Sequence, residues 1–156
     1  MNWDKGLETI TLWKKKGKNI YLTSGGFDPI HSGHVRCILD SARMAAEDNG
    51  KLVVLVNCDG FLIRKKGQPF MREDERLEVI SAIRGVDLAL IWYSDDQTVI
   101  DAIREIRPNY FTKGGDRSIP SEIPEWDICQ QIGCKVIFGV GGGKIQSSSW
   151  LLNARS

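Results

Sequence analysis

The sequence predicts an α/β fold: a Rossmann-like open parallel sheet of about five strands with helices on both faces, in one domain spanning 1–156. Short β-branched runs alternate with helical patterns, the signature of βαβ units around a parallel sheet. A length of 156 residues suits one domain around one sizeable core. No repeat and no linker interrupts the alternation.

The segment 1–18 precedes the first strand and reads as an added helical extension. Leu7, Ile10 and Trp3 lie on one side of it, and the basic run Lys14 to Lys18 closes it. The strands follow as "NIYLTS" (Asn19 to Ser24), "KLVVLVN" (Lys51 to Asn57), "DLALIWY" (Asp87 to Tyr93), "YFT" (Tyr110 to Thr112) and "KVIFGV" (Lys135 to Val140). Helical patterns fill the gaps, near Ser32 to Glu47, Arg72 to Ile83, Asp96 to Ile106 and Ile123 to Ile132, with a short one from Ser147. Ligands of such sheets sit beyond the strand C-terminal ends, so the loops after each strand are where function is expected.

Composition narrows the ligand. Lys and Arg number 21 against 20 Asp and Glu, a net charge of +1, so no global field favours nucleic acid or an anionic membrane, and an anion must be held locally. Cys37, Cys58, Cys129 and Cys134 form neither a CxxC pair nor a dense disulfide framework, which suits reduced thiols in a cytoplasmic protein. The N-terminus has no signal-peptide core, and runs such as Leu52 to Val56 are too short to span a bilayer.

The first strand runs into "TSGGFDPIHSGHVR", Thr23 to Arg36, which holds both histidines of the chain. Gly25 and Gly26 allow a tight turn at positive φ with no Cβ to obstruct a ligand. The helix expected near Ser32 offers unpaired N–H groups and the positive end of its dipole, an anion site. Gly33 lets a phosphate approach the backbone, and His31 and His34, three apart on the first turn, reach toward the same space. Thr23, Ser24, Gly25, Gly26 and Phe27 line the floor, and Asp28 fixes the turn or caps the helix. Zinc is the competing use of the pair, but it wants a spacing of four and further ligands, so no metal site is assigned.

Other strand-end loops repeat the theme. Arg64, Lys65 and Lys66 form a basic run before Gly67, and Asp59 stands at a strand end where a ligand hydroxyl or a turn would use it. Arg76 lies off the apolar stripe of Leu77, Ile80 and Ile83, where it would be exposed, and Arg84 sits at that helix's end, where the dipole or a ligand would engage it. "TKGGD" holds Lys113, Gly114 and Asp116 at a strand end, and "GGGKIQSSSW" sets Lys144 and Ser147, Ser148 and Ser149 at a helix start suited to capping or phosphate.

"GGFDPIHSGH" resembles the HxGH motif of the nucleotidyltransferase superfamily, which includes cytidylyltransferases and small adenylyltransferases. Three further stretches are similar to that superfamily in the right order: "NCDGFLIRKKGQPFMREDER", "KGGD" and "IQSSSWLL". "KGGD" looks most like the adenylyltransferase domain of ADP-heptose synthases, and Arg84 in "IRGVD" more like glycerol-3-phosphate cytidylyltransferase. The resemblance implies transfer of AMP or CMP from ATP or CTP to a phosphorylated small molecule such as a sugar or polyol phosphate, with pyrophosphate released and Mg²⁺ accompanying the nucleotide. It also implies a homodimer, to which exposed aromatics such as Trp3, Trp13 or Trp150 could contribute.

In this chemistry His31, His34 and Lys66 are the catalytic candidates, Lys66 because it falls where the superfamily has a substrate-contacting lysine. Ser24, Gly25, Gly26, Phe27, Asp28, Gly33, Lys113, Gly114, Asp116, Ser147, Ser148 and Ser149 are the nucleotide-binding candidates. Asp59, Arg76 and Arg84 are the acceptor-binding ones. A phosphate monoester is already largely dianionic at neutral pH, with a second pKa near ~6, so no general base is required. A catalytically idle nucleotide-sensing module is the alternative, since fold and phosphate loop do not by themselves prove turnover.

Overall fold

A computed structural model describes residues 1–115 and 119–142, with Glu122 described by its backbone alone. Asp116, Lys144, Ser147, Ser148, Ser149 and Trp150, and with them the expected last helix, lie outside the described residues.

Five strands form one all-parallel sheet in the order β3-β2-β1-β4-β5. They are β1 (Asn19–Gly25), β2 (Gly50–Asn57), β3 (Leu88–Trp92), β4 (Tyr110–Gly114) and β5 (Lys135–Val140). Alternation along each strand sorts side chains to two faces. Ile20 and Leu22 of β1, Val53 and Leu55 of β2, Leu88 and Leu90 of β3 and Phe111 of β4 build one core. Helices α1 (Trp3–Lys15), α5 (Ile100–Ile106) and α6 (Trp126–Ile132) cover that face with Ile10, Ile103 and Ile128. Tyr21, Leu52, Val54, Val56 and Tyr110 point the other way, against α2 (Ser32–Glu47) and α4 (Glu73–Ser81) through Ile38, Ala45 and Ile80.

The extension 1–18 is α1. Asn2 caps it, its side chain accepting from the Lys5 N–H at 2.9 Å. Gly6 lets it lie close to the sheet, because a Cβ there would stand 2.6 Å from Leu90 Cδ1. Trp3 and Trp13 are not the free surface aromatics that the dimer expectation used: both pack against this core, and Trp3 meets the Trp92 ring at 4.8 Å.

Three boundaries differ from the sequence expectation. The basic run Arg64 to Lys66 is not a loop but the last turn of a short helix, α3 (Asp59–Lys66), where cations meet the negative end of the helix dipole. Strong β2 periodicity ending at Asn57 hides it, since α3 carries only Phe61 and Leu62 as buried residues. The helix expected from Asp96 begins at Ile100, because Asp96 and Ser94 satisfy local backbone groups: Asp96 Oδ1 accepts from the N–H and hydroxyl of Thr98, and Ser94 donates to Asp96. The segment from Ile123 becomes regular helix only at Trp126, after a 3-10 turn Pro120–Glu122. No helix among the described residues is long and apolar enough to cross a membrane.

Candidate active site

β1 has β2 on one side and β4 on the other, so its C-terminal end is the point where the sheet's connections diverge and a crevice opens. The chain leaves β1 through Gly26 to Ile30 and enters α2 at Ser32.

His31, not Asp28, caps that helix. Its Nδ1 accepts from the Gly33 N–H at 3.1 Å, while His34 Nδ1 accepts from the His31 N–H at 3.2 Å, a reciprocal capping box built from two imidazoles. The two rings stack with centroids 3.8 Å apart and 26° between planes. With both Nδ1 atoms accepting, each neutral ring carries its proton on Nε2, which leaves two N–H donors that the capping box does not use. The spacing of three thus does two jobs, closing the helix end and pairing the donors.

Gly25 and Gly26 are not at positive φ; Phe27 is, at +51°. The glycines are required by space instead. A Cβ on Gly25 would stand 3.0 Å from the Phe27 ring and one on Gly26 2.9 Å from Leu62. The buried Phe27 ring then meets the edge of His34 at 5.4 Å and walls it from one side.

Burial, followed by the neighbouring charge of His31, pushes His34 down to about 4. His34 is therefore neutral at physiological pH and donates through Nε2. The unfolded chain takes up a proton near the ordinary 6.5, which the folded chain refuses until about 4, so acidification across that window favours unfolding. We expect the melting temperature of the wild type to fall more steeply between pH 6.5 and 4 than that of His34→Gln, which keeps a capping-box side chain without the imidazole. Parallel melting curves across that range would show that burial of His34 carries no such linkage.

Asp28 secures the loop rather than the helix. Its side chain is 1% exposed; Oδ2 accepts from the Phe70 N–H at 2.6 Å, Oδ1 accepts from the Met71 N–H at 2.7 Å, and Lys66 Nζ pairs with it at 2.8 Å. Burial alone would raise this carboxyl, but Lys66 and the two N–H groups outweigh it and hold it below the usual carboxylate range. Lys66 also donates to the Asp28 carbonyl at 2.7 Å, so the lysine is anchored on the β1–α2 loop.

Arg76 is the main correction. The sequence places it outside the apolar stripe, hence exposed; the structure buries it to 1%. Its guanidinium donates to the carbonyls of Met71, Gly26 and Asn57 and to Asp59 Oδ1 at 2.6 Å. Committed to these four bonds, it ties the β1–α2 loop, the end of β2 and the starts of α3 and α4 together rather than meeting an acceptor phosphate. Asp59 is held by that bond, and its N–H donates to Glu73 Oε1 at 2.8 Å. Arg84 is displaced altogether. It precedes β3, at the edge opposite the strand C-terminal ends, beside Gly85, whose closest neighbour is Ala42 in the middle of α2.

Across β1 from the histidines lies a cleft of 460 Å³ on the α5 face, lined by Ser24, Gly25, Gly26, Asn57, Lys113 and Glu125, with Arg64 and Lys65 at its edge. Strand parity puts Ser24, Asn57 and Lys113 there: each is two residues beyond a core position, Leu22, Leu55 and Phe111 respectively. Lys113 stands over the Phe111 ring at 5.2 Å. Gly114 is pressed between α2 and β5, where a Cβ would lie 3.0 Å from both Cys37 Sγ and the Val140 carbonyl. Sequence reasoning does not single out Asn57 or Glu125, although a polar residue in phase with Val53 and Leu55 is the signal that marks Asn57.

Fold and site together define an α/β domain with a two-histidine loop capping a helix at the crevice of a parallel sheet. The chain belongs to the cytidylyltransferase-like family, whose model matches residues 22–132, and with it to the nucleotidyltransferases that the HxGH resemblance names. Bifunctional protein HldE of Gluconobacter oxydans is 31% identical over 136 residues, covering 86% of this chain and 27% of that protein. The Nitrobacter hamburgensis protein of the same name is 39% identical over 114 residues, covering 72% and 22%. The chain thus spans about a quarter of the length of these relatives. Among solved structures, a lipopolysaccharide core biosynthesis protein from Thermoplasma volcanium superposes with a TM-score of 0.62 at 25% identity, covering 78% of this chain and 93% of that one.

Proposed function

We propose that the chain transfers a nucleotidyl group, AMP in preference to CMP, from the nucleoside triphosphate to a phosphorylated sugar or polyol. The observation that carries the reading is the stacked His31–His34 pair at the end of β1, whose Nδ1 atoms close the α2 N-terminus and whose Nε2 atoms take no part in that cap. Similarity to the two HldE proteins and the "KGGD" stretch support AMP and a sugar phosphate.

An acceptor phosphate oxygen attacks the α-phosphorus, a new P–O bond forms, the α–β bridging bond breaks and pyrophosphate leaves with the electron pair. No proton need be removed from a dianionic nucleophile, so the work is alignment and charge neutralisation. The α2 N–H groups and the two Nε2 donors meet oxygens on which charge builds. Lys113 lines the cleft as a further cation. Lys66, held by Asp28, places its ammonium group at the same loop. Mg²⁺ accompanies the nucleoside triphosphate as part of the substrate, offsetting charge on its phosphates.

Pyrophosphate release measured with each of ATP, CTP, GTP and UTP over sugar, polyol and vitamin phosphates tests the reading. Release is expected with ATP and a sugar or polyol phosphate. Tight nucleotide binding with no release for any pair would make the chain a sensor instead.

A further inference from the structure

The floor of the cleft holds a polar group that the fold leaves unanswered. Asn57 is 7% exposed, and its Oδ1, fully enclosed, has no hydrogen-bond partner. Its backbone is committed: its carbonyl accepts from Arg76 at 2.5 Å, and the residue pairs with Trp92 in the sheet. The side chain shares the parity of Val53 and Leu55 and so projects to the α5 face, where the cleft opens. Buried amide oxygens are nearly always paired, and one left unpaired in a native interior calls for an explanation.

Glu125 stands in the same cleft at 5% exposure. Its Oε2 accepts from the Val99 N–H at 3.1 Å, which fixes the carboxylate at the start of α5. Gln97 and Thr98 add polar atoms to the wall, whereas Phe61, Val99 and Pro124 are its apolar members. An amide and an immobilised carboxylate suit a group that donates hydrogen bonds, and hydroxyls on adjacent carbons do so.

We infer that Asn57 is a specificity-determining residue that, with Glu125, reads hydroxyl groups of the acceptor on the α5 side of β1. This assignment rests on the nucleotidyl-transfer reading for what the hydroxylated compound is used for, but not for its binding. Ser24 to Gly26 border both the cleft and the histidine loop, so a phosphate carried by that compound lies along the strand end that leads to His31. A site built to hydrogen-bond a hydroxyl rejects the analogue lacking it far more strongly than an apolar pocket rejects a missing methylene.

The side-chain amide resonances of Asn57 in uniformly ¹⁵N-labelled wild-type protein provide a binding readout that is independent of turnover. Glycerol 3-phosphate, mannose 1-phosphate, glucose 1-phosphate and mannose 6-phosphate are titrated beside propyl and cyclohexyl phosphate, which carry the same charge without hydroxyls. At least one hydroxylated phosphate should shift the Asn57 amide and bind at least ~10-fold more tightly than either hydroxyl-free one, and Asn57→Leu should abolish that preference. Equal binding of the hydroxyl-free phosphates, an unmoved Asn57 amide throughout, or an unchanged preference in Asn57→Leu each overturns the assignment. Binding at Asn57 with no pyrophosphate released would overturn nucleotidyl transfer and leave the assignment standing. Release by Asn57→Leu with unaltered acceptor preference would do the reverse.

Discussion

His31→Asn is expected to lower kcat by about 10²- to 10³-fold, the scale for removing a preorganised transition-state donor, while leaving the fold almost as stable as before. The two effects separate because the imidazole has two jobs on two nitrogens. Nδ1 accepts from the Gly33 N–H, and asparagine, among the best N-cap residues, places Oδ1 to do the same. Nε2 takes no part in the cap, and asparagine has nothing at that reach. His34→Gln makes the complementary case, since glutamine at the third helical position of a capping box reaches back to the cap N–H as His34 Nδ1 does. Removing both rings at once should cost little more than removing one if the stacked pair acts on the same phosphate oxygens as a unit. Rapid-quench turnover and thermal melts on His31→Asn decide the matter. A kcat within a few-fold of wild type, with the cap preserved, would reduce the pair to a structural cap.

The histidine loop is legible in the sequence because its signals are local. A β-branched run, two glycines and a polar helix start mark strand, turn and helix from neighbours in sequence, and β1 and α2 lie where those signals place them, although the cap is His31 rather than Asp28. The same locality explains what the sequence misleads on. It suggests positive φ at Gly25 and Gly26, but their role is to admit the Phe27 ring and Leu62, contacts that only the folded loop and α3 create. Arg76 reads as exposed because helical periodicity compares a residue with its own helix. Partners beyond that helix come from the ends of β1 and β2 and from α3, separated from it by 17 to 50 residues. Asn57 lies between these cases. Its parity with Val53 and Leu55 is visible in the sequence, yet its significance depends on Glu125 arriving from the far side of β4.

Arg76→Met should destabilise the domain by about 3–5 kcal/mol, the usual consequence of removing one partner from a buried ion pair. The side chain is fully buried, and methionine of similar length fills much of the volume, so packing is not the main loss. What remains is a carboxylate, Asp59, and three carbonyl groups, of Gly26, Asn57 and Met71, deprived of their donor. For a chain of this size each kcal/mol lowers the melting temperature by roughly 2–4 °C, so a fall on the order of 10 °C is expected. Arg76→Lys retains a charge opposite Asp59 but offers one compact donor head in place of a fork, and cannot span carbonyls on three separate elements. It should fold, with a melting temperature between those of the wild type and Arg76→Met, and with a weakened kcat/KM because Gly26, at the floor of the phosphate loop, is no longer tethered. Adding Asp59→Asn to Arg76→Met should recover part of the stability by removing the orphaned charge, a non-additivity that a double-mutant cycle reads directly. Were Arg76 instead a surface residue meeting an acceptor phosphate, Arg76→Met would melt within about 2 °C of wild type, and only the acceptor's KM would move.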